Sequence, residues 1–158
     1  MPRNFKSTTQ FTKPDPKFGS LLASKIINKI MLDGKKSTAQ RVFYDAIALA
    51  QTKLPEVEDP VEIFSKAVEN TRPQVEVRSK RVGGANYQVP REVKRGRQQT
   101  LAIRWLIDNS RKKKGKPMHI RLSEELVDAY NGTGTSVQWK ENVHKMADAN
   151  KAYAHYAR

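Results

Sequence analysis

Apolar residues recur at helical spacing through most of this chain, and the pattern predicts about six helices. The first predicted helix begins at Ser20 and closes at Gly34, because glycine is a common residue just past a helix end. The second carries apolar residues on one face from Ala39 to Ala50 and ends at Pro55. These two segments predict a helical scaffold for the N-terminal half of the chain.

Proline and capping residues mark several boundaries of the remaining predicted helices. Asp59 is a predicted N-cap with Pro60 at the first helical position, and Pro73 ends that helix. A fourth helix carries Trp105 on its apolar face, and a fifth carries Leu122, Leu126 and Tyr130 and stops at residues 131–132. The last helix is expected to begin at Thr135 or Ser136. Its predicted buried stripe comprises Trp139, Val143, Met146, Ala147 and Ala154.

Residues 74–90 depart from this helical pattern and alternate with a period of two. Two residues that tolerate positive φ, Gly83 and Gly84, separate the alternating runs, which predicts a tight β-hairpin. Three cations lie on one arm beside the tip, and such a hairpin suits a negatively charged partner. Tyr87 on the other arm can pack on the base of the hairpin or stack on an exposed nucleotide; we favour packing. The cations are Arg78, Lys80 and Arg81.

Residues 1–19 have no period and contain three prolines, which predicts an extended basic arm. Its aromatic residues either fasten the arm to the helices or stack on unpaired bases, and the sequence leaves both open. The expected architecture is mainly α: one domain over residues 1–158, with the arm, about six helices and one protruding hairpin. The aromatic residues are Phe5, Phe11 and Phe18, interleaved with Lys6, Lys13 and Lys17.

The charge of the chain indicates that the predicted helical scaffold binds a polyanion. The formal net charge is +14, while hydrophobic residues make up an ordinary 37% of the chain. Residues 91–121 hold eleven Lys or Arg against Glu92 and Asp108, whereas residues 22–73 and 122–158 are close to neutral. The lysine run 112–114 therefore favours phosphate contact over a merely solvated loop, with each lysine acting as a point charge.

Several classes of protein are disfavoured by what the chain lacks. Without cysteine there are no disulfides or thiolate metal sites, and the three histidines share no metal-ligand spacing. The acidic residues between 56 and 62 fall in a linker and a helix cap, and no common catalytic motif is present. No apolar run approaches the roughly 18 residues of a membrane span. We therefore expect a soluble intracellular protein that is not an enzyme, with no metal, cofactor, membrane or small-molecule substrate; an organellar transit peptide stays open.

Several ordered blocks closely resemble the family of ribosomal protein seven of the small subunit. The resemblance runs from about residue 15 to residue 156, and long ordered blocks are more specific than a short motif. Lys80 stands where the family pattern usually has arginine. The blocks are residues 15–20 (DPKFGS), 28–39 (NKIMLDGKKSTA), 75–84 (VEVRSKRVGG), 87–90 (YQVP), 101–105 (LAIRW) and 146–152 (MADANKA).

The resemblance implies a structural protein of the small subunit with a helical body and a protruding β-ribbon. It implies primary binding to the 3′ major domain of 16S-type rRNA, nucleation of head assembly, and a place at the subunit interface near the exit-site tRNA and the mRNA exit. Neighbouring head and platform proteins would be partners, in a cytoplasmic or an organellar ribosome. The resemblance places rRNA contacts in the arm, at Lys35 and Lys36 and from Arg111 to Lys116. The full predicted set of rRNA-binding residues is Arg3, Lys6, Lys13, Lys17, Lys35, Lys36, Arg41, Lys94, Arg95, Arg97, Arg111, Lys112, Lys113, Lys114 and Lys116. The hairpin residues implied to face tRNA and mRNA are Arg78, Lys80, Arg81, Gly83 and Gly84.

Two other functions compete with this interpretation. An architectural DNA-binding protein also uses a basic ribbon on a helical body, and it would bind duplex DNA and folded rRNA comparably. A basic nuclease would need a metal or an acid–base site that the chain does not show. Whether the protein represses its own message is left open.

Overall fold

The structure, a computed structural model, describes residues 11–157. These residues form six α-helices, a two-stranded antiparallel hairpin and a C-terminal 3-10 helix, which confirms the expectation of a mainly helical chain with one hairpin. The α-helices are α1 Leu21–Ile30, α2 Lys36–Lys53, α3 Pro60–Thr71, α4 Arg95–Lys112, α5 Met118–Tyr130 and α6 Gly134–Ala149. The strands are β1 Val75–Val82 and β2 Ala85–Glu92, and the 3-10 helix is Lys151–Ala157.

The core is assembled around α5, which packs against α2, α3, α4 and α6. Leu122, Leu126 and Ala129 of α5 are fully buried there. Phe43 of α2 and Phe64 of α3 meet edge to face with their ring centroids 5.7 Å apart. Because burying a leucine or phenylalanine side chain contributes about 1.5–3 kcal/mol, these contacts hold the helices in one arrangement.

The hairpin forms as the sequence predicts, but it extends past residue 90. Its register runs from Val75 opposite Glu92 to Val82 opposite Ala85, leaving a two-residue turn. Gly83 and Gly84 both have positive φ, 57° and 90°, as a type I′ turn requires. Pro90 is tolerated within β2 because both strands of a two-stranded sheet are edge strands.

The N-terminal arm is not extended throughout, because residues 15–19 fold back as a turn. The carboxylate of Asp15 accepts hydrogen bonds from the backbone N–H of Lys17 and Phe18 and from the Tyr44 hydroxyl. Phe18 then packs on Phe43, Tyr44 and Phe64, with ring centroids 5.8–6.1 Å away. Phe18 therefore fastens the arm to the helices, whereas the Phe11 side chain is exposed.

Burial and hydrogen bonding raise the pKa of the Tyr44 phenol to about 12. The largest cause is desolvation, followed by the hydrogen bond to Asp15 and its negative charge. The phenol therefore stays protonated and keeps donating to Asp15 throughout the physiological range.

Two predicted helix ends are wrong. The first helix ends at Ile30 rather than near Gly34, because Met31 leaves the helical region with ψ at 135°. Asp33 and Gly34, with φ of 51° and 73°, instead form the turn that leads into α2. The predicted loop at 111–117 is shorter than expected, because α4 continues to Lys112.

The last helix differs most from its prediction. It begins at Gly134, its N-cap Thr133 makes no side-chain capping bond, and it ends at Ala149 before a 3-10 helix that the sequence pattern did not predict. Val143 and Ala147 are buried as expected, but Trp139 is 42% and Met146 46% exposed, and Ala154 is exposed. Trp105 of α4 is half-buried. An apolar side chain at helical spacing thus joins the core only where another element lies over it.

Candidate nucleic-acid interface

The predicted rRNA-binding cations of α4 lie at its two ends. Lys94, Arg95 and Arg97 are exposed at its start, whereas Arg111 and Lys112 are in its last turn. Arg111 lies fourteen positions after Arg97, which is about 21 Å along a helix. The helix therefore divides the predicted interface into a hairpin end and a loop end.

At the loop end, the fold brings together cations that are far apart in the sequence. Lys35 lines a cavity of about 450 Å³ together with Arg111 and Arg121. A second cavity of about 320 Å³ is lined by Lys13 of the arm and Lys36 of α2. Four of the predicted rRNA-binding cations, from the arm, α2 and the end of α4, thus converge where α1 ends and α2 begins.

Two arginines at this end also hold the fold together. The Arg111 guanidinium donates to the carbonyl oxygens of Lys29 and Ile30, at 3.4 and 3.0 Å, and so satisfies the end of α1. Arg121 donates to the carbonyl oxygens of Arg111 and Lys113. Arg111 is therefore half-buried and partly engaged inside the protein, which the sequence pattern did not indicate.

Most of the lysine cluster from 112 to 116 is engaged inside the protein. The Lys112 ammonium lies 3.3 Å from Asn109 Oδ1 and 5.2 Å from the Trp139 ring centroid. The Lys116 ammonium lies 2.6 Å from a carboxylate oxygen of Glu124, and this hydrogen bond lowers the pKa of the Glu124 carboxyl. Lys114 is exposed and makes no ion pair or hydrogen bond within residues 11–157.

Lys113 compensates a carboxylate that is fully buried. Glu125 Oε1 accepts hydrogen bonds from the backbone N–H and the hydroxyl of Ser136, at 2.8 and 2.6 Å, near the start of α6. Oε2 receives no hydrogen bond of good geometry, but it lies 2.8 Å from the Lys113 ammonium. The hydrogen bonds from Ser136 to Glu125 Oε1 explain why α6 needs no local capping residue, since a carboxylate from α5 satisfies its first turn.

At the hairpin end, Glu76 joins the ribbon to α4. Its carboxylate lies 2.7 Å from Arg78 Nε and accepts from Arg97 Nε and Nη2 at 2.9 and 2.8 Å. Partial burial alone would raise the pKa of the Glu76 carboxyl, but the hydrogen bonds and charges of Arg97 and Arg78 outweigh it and lower this pKa. The same contact raises the pKa of Arg97.

The remaining hairpin cations divide between its two faces. Because side chains alternate along a strand, Arg78 and Lys80 share one face and Arg81 lies on the other. The Lys80 ammonium donates to the Tyr156 carbonyl oxygen at 2.7 Å. Tyr87, opposite Lys80, packs against Tyr153 and Tyr156 of the 3-10 helix, at 5.1 and 5.3 Å between ring centroids. Packing thus accounts for Tyr87, although against the C-terminal helix rather than the hairpin base.

The other predicted cations are exposed, and two lie outside the described residues. Arg41 of α2 is exposed, and the exposed Lys17 ammonium lies 4.9 Å from the Tyr44 ring centroid. Arg3 and Lys6 fall outside residues 11–157. Within those residues, no group of three or more His, Asp or Glu is placed to hold a metal ion, and no helix is long and apolar enough to cross a membrane.

Two cations outside the predicted set, Arg121 and Lys25, also contact α4 near its ends. Arg121 shares the cavity of Lys35, and its place in the basic segment 91–121 was an available signal. Lys25 of α1 reaches α4 through a 2.7 Å hydrogen bond to Gln99 Oε1, and no pattern in the sequence pairs these residues.

Comparison with known proteins agrees with the family resemblance of the ordered sequence blocks. A family model described as ribosomal protein S7p/S5e matches residues 2–151. A small ribosomal subunit protein uS7 of Fervidobacterium nodosum is 50% identical over 154 residues, 98% of both chains. The proteins of the same name from Rhodopirellula baltica and Moorella thermoacetica are 55% identical over 143 residues and 50% identical over 156 residues. These matches cover 90% and 99% of this chain, and 91% and 99% of the relatives.

Proposed function

The chain belongs to the S7p/S5e family of ribosomal proteins, and from that premise we propose that it binds small-subunit rRNA through the cations at the loop end of α4. The family is structural, so the protein acts in translation as a component of the small ribosomal subunit, a ribonucleoprotein. The observation that carries the proposal is the convergence of Lys13, Lys35 and Lys36 from separate segments onto one end of a rigid helical body.

The proposed mechanism is neutralisation of phosphates by cations in a fixed arrangement. Each lysine that contacts a phosphate releases condensed counterions from the RNA, which makes binding dependent on salt. The helices hold these lysines at set distances, so that a folded RNA junction fits better than a uniform duplex. The target is the 3′ major domain of 16S-type rRNA, where binding would nucleate assembly of the subunit head.

The hairpin serves a second role in this proposal, toward exit-site tRNA and mRNA. Arg81 and the Gly83–Gly84 tip are exposed, and the tip has no side chain to hinder a close approach. Glu76 and Arg97 support the base of the ribbon, and the C-terminal 3-10 helix supports one face of it, while the tip stays exposed. A supported ribbon of this kind can reach a neighbouring RNA while the body stays on rRNA.

The remaining parts of the proposal concern partners and compartment. Neighbouring head and platform proteins are the proposed protein partners, and the whole chain is proposed to act as one rRNA-binding domain without a catalytic step, metal or cofactor. A cytoplasmic ribosome is the proposed location, with an organellar ribosome as the alternative. The three uS7 relatives are bacterial, which supports the cytoplasmic assignment.

The test is competitive binding of the purified protein to the 3′ major domain of small-subunit rRNA and to duplex DNA of equal charge, across a salt series. We expect a preference for the rRNA of several kcal/mol that persists at physiological salt, since shape recognition adds to the shared phosphate attraction. Equal affinities that fall together as salt rises would overturn the proposal in favour of an architectural DNA-binding protein. Cleavage of the RNA in magnesium would instead support a nuclease.

A further inference from the structure

A polar cavity of about 800 Å³ lies where the end of α3, the start of α4 and the middle of α6 meet. Arg72, Arg95, Lys140 and His144 are among its lining residues. Of these four, only Arg95 belongs to the set of cations predicted from the sequence. The cavity therefore adds groups from α3 and α6 to the surface around the start of α4.

Arg72 has a donor that the protein leaves unused. Its Nη1 lies 2.8 Å from a carboxylate oxygen of Glu69, but its Nε is buried and has no hydrogen-bond partner within the described residues. A buried N–H without an acceptor is unfavourable, and Arg72 is one of the residues that line the polar cavity. A ligand in the cavity would therefore meet the exposed part of the Arg72 side chain, which is 28% accessible, and would reach Nε only after this side chain turns.

The other donors around the cavity are oriented by the backbone. The Lys140 ammonium donates one hydrogen bond to the Asn70 carbonyl oxygen at 2.7 Å, which leaves further protons on a group that has three. His144 Nε2 accepts the backbone N–H of Gln74 at 3.1 Å, so the proton of the neutral ring lies on Nδ1. These side chains are therefore held in place before any ligand arrives.

We propose that this cavity binds a phosphate group of the rRNA backbone, with Arg72 as its principal ligand. The inference rests on the proposed rRNA binding and names a contact site within it. Three cations line the cavity against two carboxylates, those of Glu69 and Glu141, so it favours an anion. A guanidinium offers several N–H groups in a planar fork that matches phosphate oxygens, which a point charge does not.

RNA is favoured over an acidic protein segment because of what surrounds the cavity. Arg95 lines it, and Lys94 and Arg97 are exposed within two residues of Arg95 at the start of α4. A phosphate bound beside Arg72 would therefore lie in a chain of phosphates that meets further cations along the same helix start. A single carboxylate from a protein would gain little from those neighbours.

The test compares four variants for binding to the 3′ major domain across a salt series. Arg72→Gln removes the principal ligand, and we expect roughly a tenfold or greater loss of affinity, the worth of one hydrogen bond to a charged group. We also expect the salt slope to fall by about 0.7–0.9. Arg72→Lys keeps the charge without the fork and should lose less affinity.

Two further variants separate this site from a general effect of charge. Lys145→Gln removes an exposed cation of α6, the helix of Lys140 and Glu141, that does not line the cavity, and it should bind nearly as the wild type. Glu141→Gln removes a carboxylate from the cavity wall and should bind more tightly, a gain that damage to the fold cannot produce. Ethylation of one rRNA phosphate should weaken the wild type but not Arg72→Gln.

The outcomes distinguish failure of the phosphate site from failure of the proposed function. If Arg72→Gln binds like Lys145→Gln while the wild type still prefers rRNA to duplex DNA, the phosphate site is overturned and the proposed function stands. If Arg72→Gln binds rRNA normally but incorporates neighbouring proteins poorly into reconstituted subunits, the phosphate site is overturned in favour of a protein ligand. A wild type without any preference for rRNA would overturn the proposed function and this inference with it.

Discussion

At the scale of single residues, the structure separates cations that stabilise the protein from cations that remain exposed. Lys113 and Lys114 are neighbours in an apparently uniform run, yet Lys113 lies 2.8 Å from the buried carboxylate of Glu125 and Lys114 is exposed. A buried carboxylate requires compensation, because removing it from water is costly. The charge of Lys113 therefore belongs to the fold, and that of Lys114 is available to a ligand.

We expect Lys113→Met to destabilise the protein by about 3 kcal/mol, at the low end for an uncompensated buried charge, since the lysine is partly exposed. Lys114→Met, its matched control, should change stability by less than about 0.5 kcal/mol. Chemical denaturation of both variants measures the difference. Equal stabilities would mean that Ser136 alone compensates Glu125. A triple alanine replacement of 112–114 would mix this structural effect with any weakening of RNA binding.

At the scale of elements, the hairpin is held at its base by α4 and along one face by the C-terminal 3-10 helix. Glu76 of β1 bonds Arg97 of α4, while Lys80 and Tyr87 contact Tyr156. An isolated two-stranded hairpin is marginally stable in water, so these contacts determine how the ribbon is presented. The tip, Gly83–Gly84, projects beyond them.

The Glu76 contact predicts a dependence of stability on pH. Because the folded-state pKa of Glu76 is lowered, its stabilising contribution is present above the ordinary glutamate value of about 4.3 and is lost as pH falls through the lower folded-state value. Glu76→Gln should cost up to about 1 kcal/mol at pH 7, since the arginine partners are exposed and screened. Thermal unfolding at several pH values should show this difference shrinking in acid, below the ordinary glutamate pKa. A difference that persists undiminished there would exclude the ion pair as its source.

At the scale of the whole molecule, charge is distributed so that the helical body and the hairpin tip can serve different partners. The cations at the loop end and those at the hairpin end are separated by about the length of α4, roughly 21 Å from Arg97 to Arg111. Residues 22–73 and 122–158 are close to neutral and contribute much of the helical body between them. The helical body can therefore bind rRNA through the loop end and through the cavity at the start of α4, and leave the hairpin tip for a mobile ligand.

This division can be tested with two double variants of equal charge change. Lys35→Gln with Lys36→Gln should weaken binding to the 3′ major domain and lower the salt slope by up to about 0.7–0.9 for each phosphate that is no longer neutralised. Arg78→Gln with Arg81→Gln should spare most rRNA affinity but reduce exit-site tRNA binding in reconstituted subunits. If the hairpin pair weakens rRNA binding as severely as the lysine pair, the hairpin and the loop end do not have separate roles.

The sequence by itself determined the elements whose signals are local. A glycine pair between alternating strands specifies a type I′ hairpin, because both residues need positive φ. Asp59 before Pro60 specifies the start of α3, where the aspartate caps Val61 N–H at 2.8 Å as predicted. Net charge and its concentration in residues 91–121 likewise followed from composition and indicated a polyanionic partner. Each of these inferences depends on neighbours along the chain.

Only the tertiary structure decided what each charge and each apolar side chain contacts. The start of α6 is satisfied by Glu125 from another helix, and Lys113 meets a buried carboxylate while Lys114 does not. Trp139 stays 42% exposed, with the Lys112 ammonium of α4 over its ring. Arg72 and Lys140 meet at one cavity although 68 positions separate them in the sequence. Such pairings arise from the packing of helices against one another, and spacing along the chain carries no record of them.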